Sequence, residues 1–179
     1  MAEYSIRYTV TEKAHIFCYF CDMKITLIAI GKTDAKELSS LTEAYIKRLG
    51  FYIPFSFDVI PDIKNTKNLS ETRQKILEGE EILKRTETSD TLILLDEKGK
   101  SYSSIAFSEF LQKKMNTGLK NLVFVIGGPY GFSDAVYERA NGKLSLSPMT
   151  FSHQMVRLFF IEQLYRAFTI LKNEPYHHR

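Results

Sequence analysis

The stretch VFVIGGPYGF, Val123 to Phe132, carries apolar, mostly β-branched positions into two glycines, a proline, a tyrosine and a third glycine. This pattern predicts a buried strand that delivers a tight turn with exposed backbone. Glycine-rich turns after strands often cradle phosphate, but this one fits neither phosphate template. A Walker loop needs Gly-Lys-Ser/Thr, and Phe132 and Ser133 stand where that pair would fall. A dinucleotide fingerprint needs G-x-G-x-x-G at the first strand–helix junction, whereas G-G-P-Y-G occurs here at the fourth. No basic side chain lies within the turn. Its glycines let backbone N–H and C=O groups approach a flat ligand, which favours a base or ring over a phosphate, although the same residues also make a plain tight turn.

Three other stretches hold candidate chemistry. LLDEKGKSYSS follows the third strand; its Asp96, Glu97, Lys98 and Lys100 have the commoner meaning of a solvated turn. LSLSPMTFSHQMVR offers Ser147–Pro148 or Thr150 as a helix start, and places His153 in the first turn, where free N–H groups meet polar ligands. A lone histidine there is by default a structural hydrogen-bonder. Arg157 has no obvious partner on its helix and is free to face a ligand or RNA. Glu162 and Arg166 stand four apart in the favourable order, as an internal ion pair would. The closing PYHHR combines an aromatic, two histidines and an arginine, able to stack on a base and to supply protonatable groups.

The elements that must position these residues alternate strand and helix. MKITLIAIGK is the first strand. DAKELSSLTEAYIKRLG is an amphipathic helix with Leu38, Leu41, Ala44, Tyr45 and Leu49 as its stripe and Gly50 as its stop. FSFDVI is the second strand, and a helix follows from about Ser70 to Arg85. TLILLD is the third strand, apolar throughout and so covered on both faces. SSIAFSEFLQKKM is a helix with Ile105, Phe107, Phe110 and Leu111 inward. LVFVIG, SDAVYERA and KLSLS give a strand, a short helix and a fifth strand. The last helix runs from about Thr150 to Lys172. This is the order of an α/β protein, with a mostly parallel sheet of about five strands and helices on both faces. Ligands in such sheets sit beyond the carboxyl ends of the strands, which marks the segments after Leu95, after Ile126 and around Ser147. The last helix is apolar nearly all round, so one side is expected to meet a second subunit.

The 179 residues suffice for a single domain with its own core, and a net charge of +3 announces no broad cationic surface. Both cysteines, Cys18 and Cys21, fall in the first 22 residues, so no disulfide framework is expected from Met23 onward. That Cys-x-x-Cys pair with His15 is too little for a structural zinc, and no metal is expected. No apolar run is long enough to span a bilayer, and the N-terminus lacks the pattern of a secretory signal; a cytoplasmic protein is expected.

Taken together, MKITLIAIGK, LLDEKGK, FVIGGPYGF, LSLSPMTFSHQMVR, EQLYRAF and PYHHR resemble the RlmH family of SPOUT-class methyltransferases, in the same order from Met23 to Arg179. The resemblance implies an α/β domain over residues 23–179 whose C-terminal part is threaded into a trefoil knot, a rare exception to unknotted topology. It implies a homodimer that uses S-adenosylmethionine to methylate N3 of a pseudouridine in helix 69 of 23S rRNA, within the assembled 70S ribosome. By motif match, Leu95, Gly127 and the segment Leu146, Ser147, Pro148, Met149, Thr150 and Phe151 would hold the cofactor. His153, Arg157, Tyr165 and Arg166 match positions near the site, and Tyr176 and His177 match a tail that reaches the pocket. His153, Arg157, Tyr176 and His177 form the expected catalytic set. His178 departs from the family pattern, and residues 1–22 have no counterpart in it. Two rival classes are a non-catalytic ribosome-associated factor and an α/β enzyme for a small nucleotide.

Overall fold

The structure, a computed structural model, describes residues 22–63 and 69–177. Cys18, Cys21, His15 and His178 lie outside these. Five strands, β1 (Lys24–Ile30), β2 (Phe55–Ile60), β3 (Thr91–Ser101), β4 (Asn121–Ile126) and β5 (Gly142–Ser145), form one parallel sheet in the order β2-β1-β4-β3-β5. The helices are α1 (Lys36–Leu49), α2 (Glu71–Leu83), α3 (Ser104–Asn116), α4 (Asp134–Arg139) and α5 (His153–Leu171).

Because side chains alternate across a strand, each central strand feeds two cores. Ile25, Leu27 and Ala29 of β1, with Leu122, Phe124 and Ile126 of β4, pack under α1, α3 and α5; Phe160, Ile161, Leu164 and Phe168 are the α5 contribution. Ile28 and Ile30, with Val123 and Val125, face the other way, against Ile82 of α2 and Val136 of α4. A strand buried on both sides must be apolar without alternation, which explains ILLI-like runs in β1, β3 and β4. Each fully buried aliphatic or aromatic side chain contributes about 1.5–3 kcal/mol.

Several boundaries differ from the sequence expectation. The last helix starts at His153, not Thr150, because Ser152 takes the N-cap position and accepts from the Met155 N–H. Ser70 and Ser103 cap α2 and α3 in the same way. On α1 the buried face passes through Thr42 and Leu49, with Leu38, Tyr45 and Ile46 half-buried; Leu41 and Ala44 are exposed. The i, i+4, i+7, i+11 row from Leu38 is the one that meets α5, and the two exposed residues sit one step off it. On α3, Phe107 and Leu111 are buried and Ile105 is exposed for the same reason.

The largest difference concerns β3. It continues through Asp96–Ser101, where a solvated turn is the sequence expectation, and its register against β5 shifts so that both Leu95 and Lys100 face Leu144. The intervening residues therefore bulge out beside the strand ends. At Gly99 the β5 backbone passes so close that a Cβ would lie 2.6 Å from the Leu144 N and C atoms. Only glycine fits there. Among the described residues no helix is long and apolar enough to cross a membrane.

Candidate active site

β4 and β5 end beside the point where β3 bulges after Leu95, and the chain at all three faces the same space. A cavity of about 450 Å³ opens there, within the roughly 300–1,000 Å³ usual for small-molecule sites. Seven of the eight residues expected to hold a cofactor line it: Leu95, Gly127, Leu146, Ser147, Met149, Thr150 and Phe151. Pro148 lies in the same loop, exposed, without lining the wall. His153 is also on the wall.

The turn after β4 is closed by the Gly131 N–H donating to the Gly128 carbonyl at 3.1 Å. Gly131 has φ +81°, and Tyr130 does not enter the positive-φ region. These are the marks of a type I turn with proline at its second position and a left-handed glycine after it. Glycine is required at 128 for another reason. The Glu78 carboxyl, 2 % exposed, stands directly behind it, so that a Cβ would lie 2.7 Å from the Glu78 carboxyl carbon. Glu78 Oε1 accepts from Gln74 Nε2 at 2.8 Å, while Oε2 has no partner among the described residues. Burial, with the nearby Asp62 charge, pushes its pKa above the usual carboxylate value, against the pull of the Gln74 bond. The acid is thus favoured in its neutral form beneath the turn.

The loop after β5 is tied to itself. Ser145 Oγ donates to the Ser147 carbonyl at 3.0 Å, and the Met149 N–H donates to Ser147 Oγ at 2.9 Å. Phe151 packs against Phe159 with ring centroids 5.1 Å apart. Met149 is 76 % exposed at the mouth.

The expected catalytic residues are only partly brought together. His153 lines the cavity, and partial burial, then the Arg157 charge, hold its pKa below the usual histidine value; a backbone interaction with Gly127 acts the other way. The shift favours its neutral form, which is able to accept a proton. Arg157 does not reach the cavity. It is 2 % exposed, donating from Nη1 to Thr33 Oγ1 at 2.8 Å and from Nη2 to the Ile30 carbonyl at 2.7 Å. It ties the start of α5 to the end of β1 and places a positive charge behind His153. Tyr176 and His177 do not line the cavity. The Tyr176 hydroxyl donates to Glu162 Oε1 at 3.0 Å and stands 3.1 Å from the Tyr45 hydroxyl. The Arg166 guanidinium lies 4.7 Å from the Tyr176 ring centroid and pairs with Glu162 at 2.6 Å. Tyr165 meets Tyr176 edge to face at 4.8 Å. The Glu162–Arg166 ion pair is therefore present, and it anchors the tail. Burial, followed by its bonds to Tyr45 and Glu162, raises the Tyr176 pKa far above the usual tyrosine value, so it remains a donor.

Asp96, which sequence reasoning gave the commoner meaning of a solvated turn residue, also lines the cavity, as do Tyr137 and Val156, which it did not single out for the site. The Tyr137 hydroxyl donates to Asp96 Oδ2 at 2.6 Å. The signal for Asp96 was its place at the carboxyl end of a strand; Tyr137, on α4, carried none.

The glycine turn, the self-tied loop and His153 thus close on one pocket at the carboxyl side of a parallel α/β sheet. The family model described as "Predicted SPOUT methyltransferase" matches residues 23–177, and the chain belongs to that family. It is 69 % identical over 157 residues to "Ribosomal RNA large subunit methyltransferase H" of Flavobacterium johnsoniae, covering 88 % of this chain and 100 % of that protein. The protein of the same name from Parabacteroides distasonis is 64 % identical over 156 residues, covering 87 % of this chain and 99 % of that one. Among solved structures, the SpoU methyltransferase AviRb from Streptomyces viridochromogenes, in complex with AdoMet, aligns at 12 % identity with a TM-score of 0.41, over 84 % of this chain and 61 % of that one.

Proposed function

We propose that this methyltransferase transfers a methyl group from S-adenosylmethionine to N3 of a pseudouridine in helix 69 of 23S rRNA, on the assembled 70S ribosome in the cytoplasm, and that it works as a homodimer whose catalytic domain is residues 23–179. The observation that carries the reading is the convergence of Leu95, Gly127 and the Leu146–Phe151 loop, from three separate strand ends, on one cavity. Relatives named for large-subunit rRNA methylation favour the substrate.

The residues present fit the cofactor. Leu95, Ile126, Leu146, Phe151 and Val156 offer apolar surface to an adenine ring, and the glycine turn offers bare backbone close by. Bound there, S-adenosylmethionine would supply an electrophilic methyl on a sulfonium sulfur. The protein's own part is to orient and to move a proton. The N3–H of a pseudouridine is an imide proton that must leave as nitrogen becomes nucleophilic, and a neutral His153 is suited to take it. Partial burial, helped by the Arg157 charge, favours the neutral form of His153. A water-poor pocket favours the meeting of an anionic nitrogen with a sulfonium, because the products need less solvation than the ions.

Tyr176 and His177 enter this scheme through the partner: held away from their own cavity, they serve the neighbouring one. Exposed apolar side chains, with Leu41 and Phe159 among them and Phe51 86 % exposed, favour such an interface. The knotted threading belongs to the same proposal, and the close passage of β5 over Gly99 supports it.

The decisive experiment is tritiated methyl transfer to 70S ribosomes lacking the modification, compared with free 23S rRNA and separated subunits. Label in helix 69 of the 70S particle is the expected result. Absence of S-adenosylmethionine binding by calorimetry would refute the reading and favour a non-catalytic ribosome-associated factor.

A further inference from the structure

Asp96 is held more firmly than a solvated turn residue needs to be. It follows Leu95 at the point where β3 leaves its pairing with β5 and bulges beside the cavity. Its Oδ1 accepts from the Lys98 N–H at 2.7 Å and its Oδ2 from the Tyr137 hydroxyl at 2.6 Å. Tyr137 is fixed in turn, edge to face on Phe132 at 5.7 Å and beneath the Lys143 ammonium at 5.4 Å. Burial and the Asp96 bond push the Tyr137 phenol up to about 12, so it stays a donor. The carboxylate is therefore oriented from two elements, β3 and α4, while both residues line the cavity.

An ionised carboxylate has about four lone-pair directions, and these two bonds use only two. The remaining acceptor capacity belongs to a group on the cavity wall, next to the position expected to meet the cofactor. Acceptors so placed, at the carboxyl end of a parallel strand, suit the paired hydroxyls of a ribose, and they repel a ribose phosphate.

Resting on the nucleoside reading above, we propose that Asp96 binds the vicinal ribose hydroxyls of the cofactor, and that Tyr137 is the positioning residue that aims it. The site then selects a nucleoside with a free 2′,3′-diol and rejects one phosphorylated there.

The test is titration calorimetry with S-adenosylhomocysteine and its 2′,3′-dideoxy analogue. The wild type should prefer the ribose form by about tenfold or more, the value of one or two charge-assisted hydrogen bonds. Asp96→Ala should lose that preference by weakening only the ribose form, and Asp96→Asn should lose part of it. Tyr137→Phe should show a smaller loss that again falls on the ribose form, with KM for the cofactor raised and kcat kept. Equal weakening of both ligands in Asp96→Ala, or no change in either, would overturn the assignment. If neither variant folds by thermal melt, the wild type decides: binding both ligands alike also overturns it. A wild type that binds neither ligand would refute the nucleoside reading itself, a distinct failure.

Discussion

Replacing Gly128 by alanine tests how the turn is held. The new Cβ would lie 2.7 Å from the Glu78 carboxyl carbon and 2.8 Å from Oε1, well inside the 3.4 Å at which ordinary contact begins. Glu78 cannot swing aside freely, since it is buried on α2 and bonded to Gln74. Overpacking of this kind costs about 1–3 kcal/mol. Either the turn moves outward into the cavity or α2 shifts, so cofactor affinity should fall along with stability. Glu78→Ala empties the contested space. The double variant Gly128→Ala/Glu78→Ala should then be more stable than the two single changes added together, by about 0.5–3 kcal/mol. Urea unfolding followed by circular dichroism supplies the four free energies, and calorimetry with S-adenosylhomocysteine supplies the four affinities. Additivity within about 0.3–0.5 kcal/mol would show that the carboxyl does not press on Gly128, and the account of the turn would be wrong.

Gly99→Ala should be worse and beyond rescue, since its Cβ meets the Leu144 backbone rather than a side chain; a loss of more than about 3 kcal/mol is expected by urea unfolding. Glu78→Gln should gain stability over the wild type as pH rises. Below the ordinary value near 4.5 both states are protonated; above it the unfolded chain ionises first, so stability drains away until the raised folded pKa is passed, and glutamine removes that loss. Unfolding midpoints at pH 4 and pH 8 measure the difference. For His153 the sign is reversed: its folded pKa is depressed, so its contribution is present above the ordinary 6.5 and is lost as pH falls through the folded value. An NMR titration showing His153 at or above 6.5 would contradict its partial burial beside the Arg157 charge. Arg157→Lys should cost about 1.5–3 kcal/mol, because an ammonium cannot fork to both Thr33 and the Ile30 carbonyl.

The sequence by itself determined the kind of architecture and the segments that matter. Unbroken apolar runs in β1, β3 and β4 can only be strands covered on both sides, and the capping serines Ser70 and Ser103 mark helix starts by purely local bonding. The rule that ligands sit at strand ends then picked three segments, and all three line one cavity. Tertiary structure alone decided how side chains far apart in the chain meet. Asp96 reads as a solvated turn residue until Tyr137 reaches it from 41 positions away. Arg157 reads as a ligand-facing cation until Ile30 at the end of β1 and Thr33 just beyond it take both of its terminal nitrogens. Gly99 and Gly128 are ordinary turn glycines until Leu144 and Glu78 fill the space where a side chain would go. Local patterns record what a residue can bond within a few positions. Which partner it finds across the sheet depends on strand order and register, and in a parallel sheet neighbouring strands are never joined by a short turn that would reveal them.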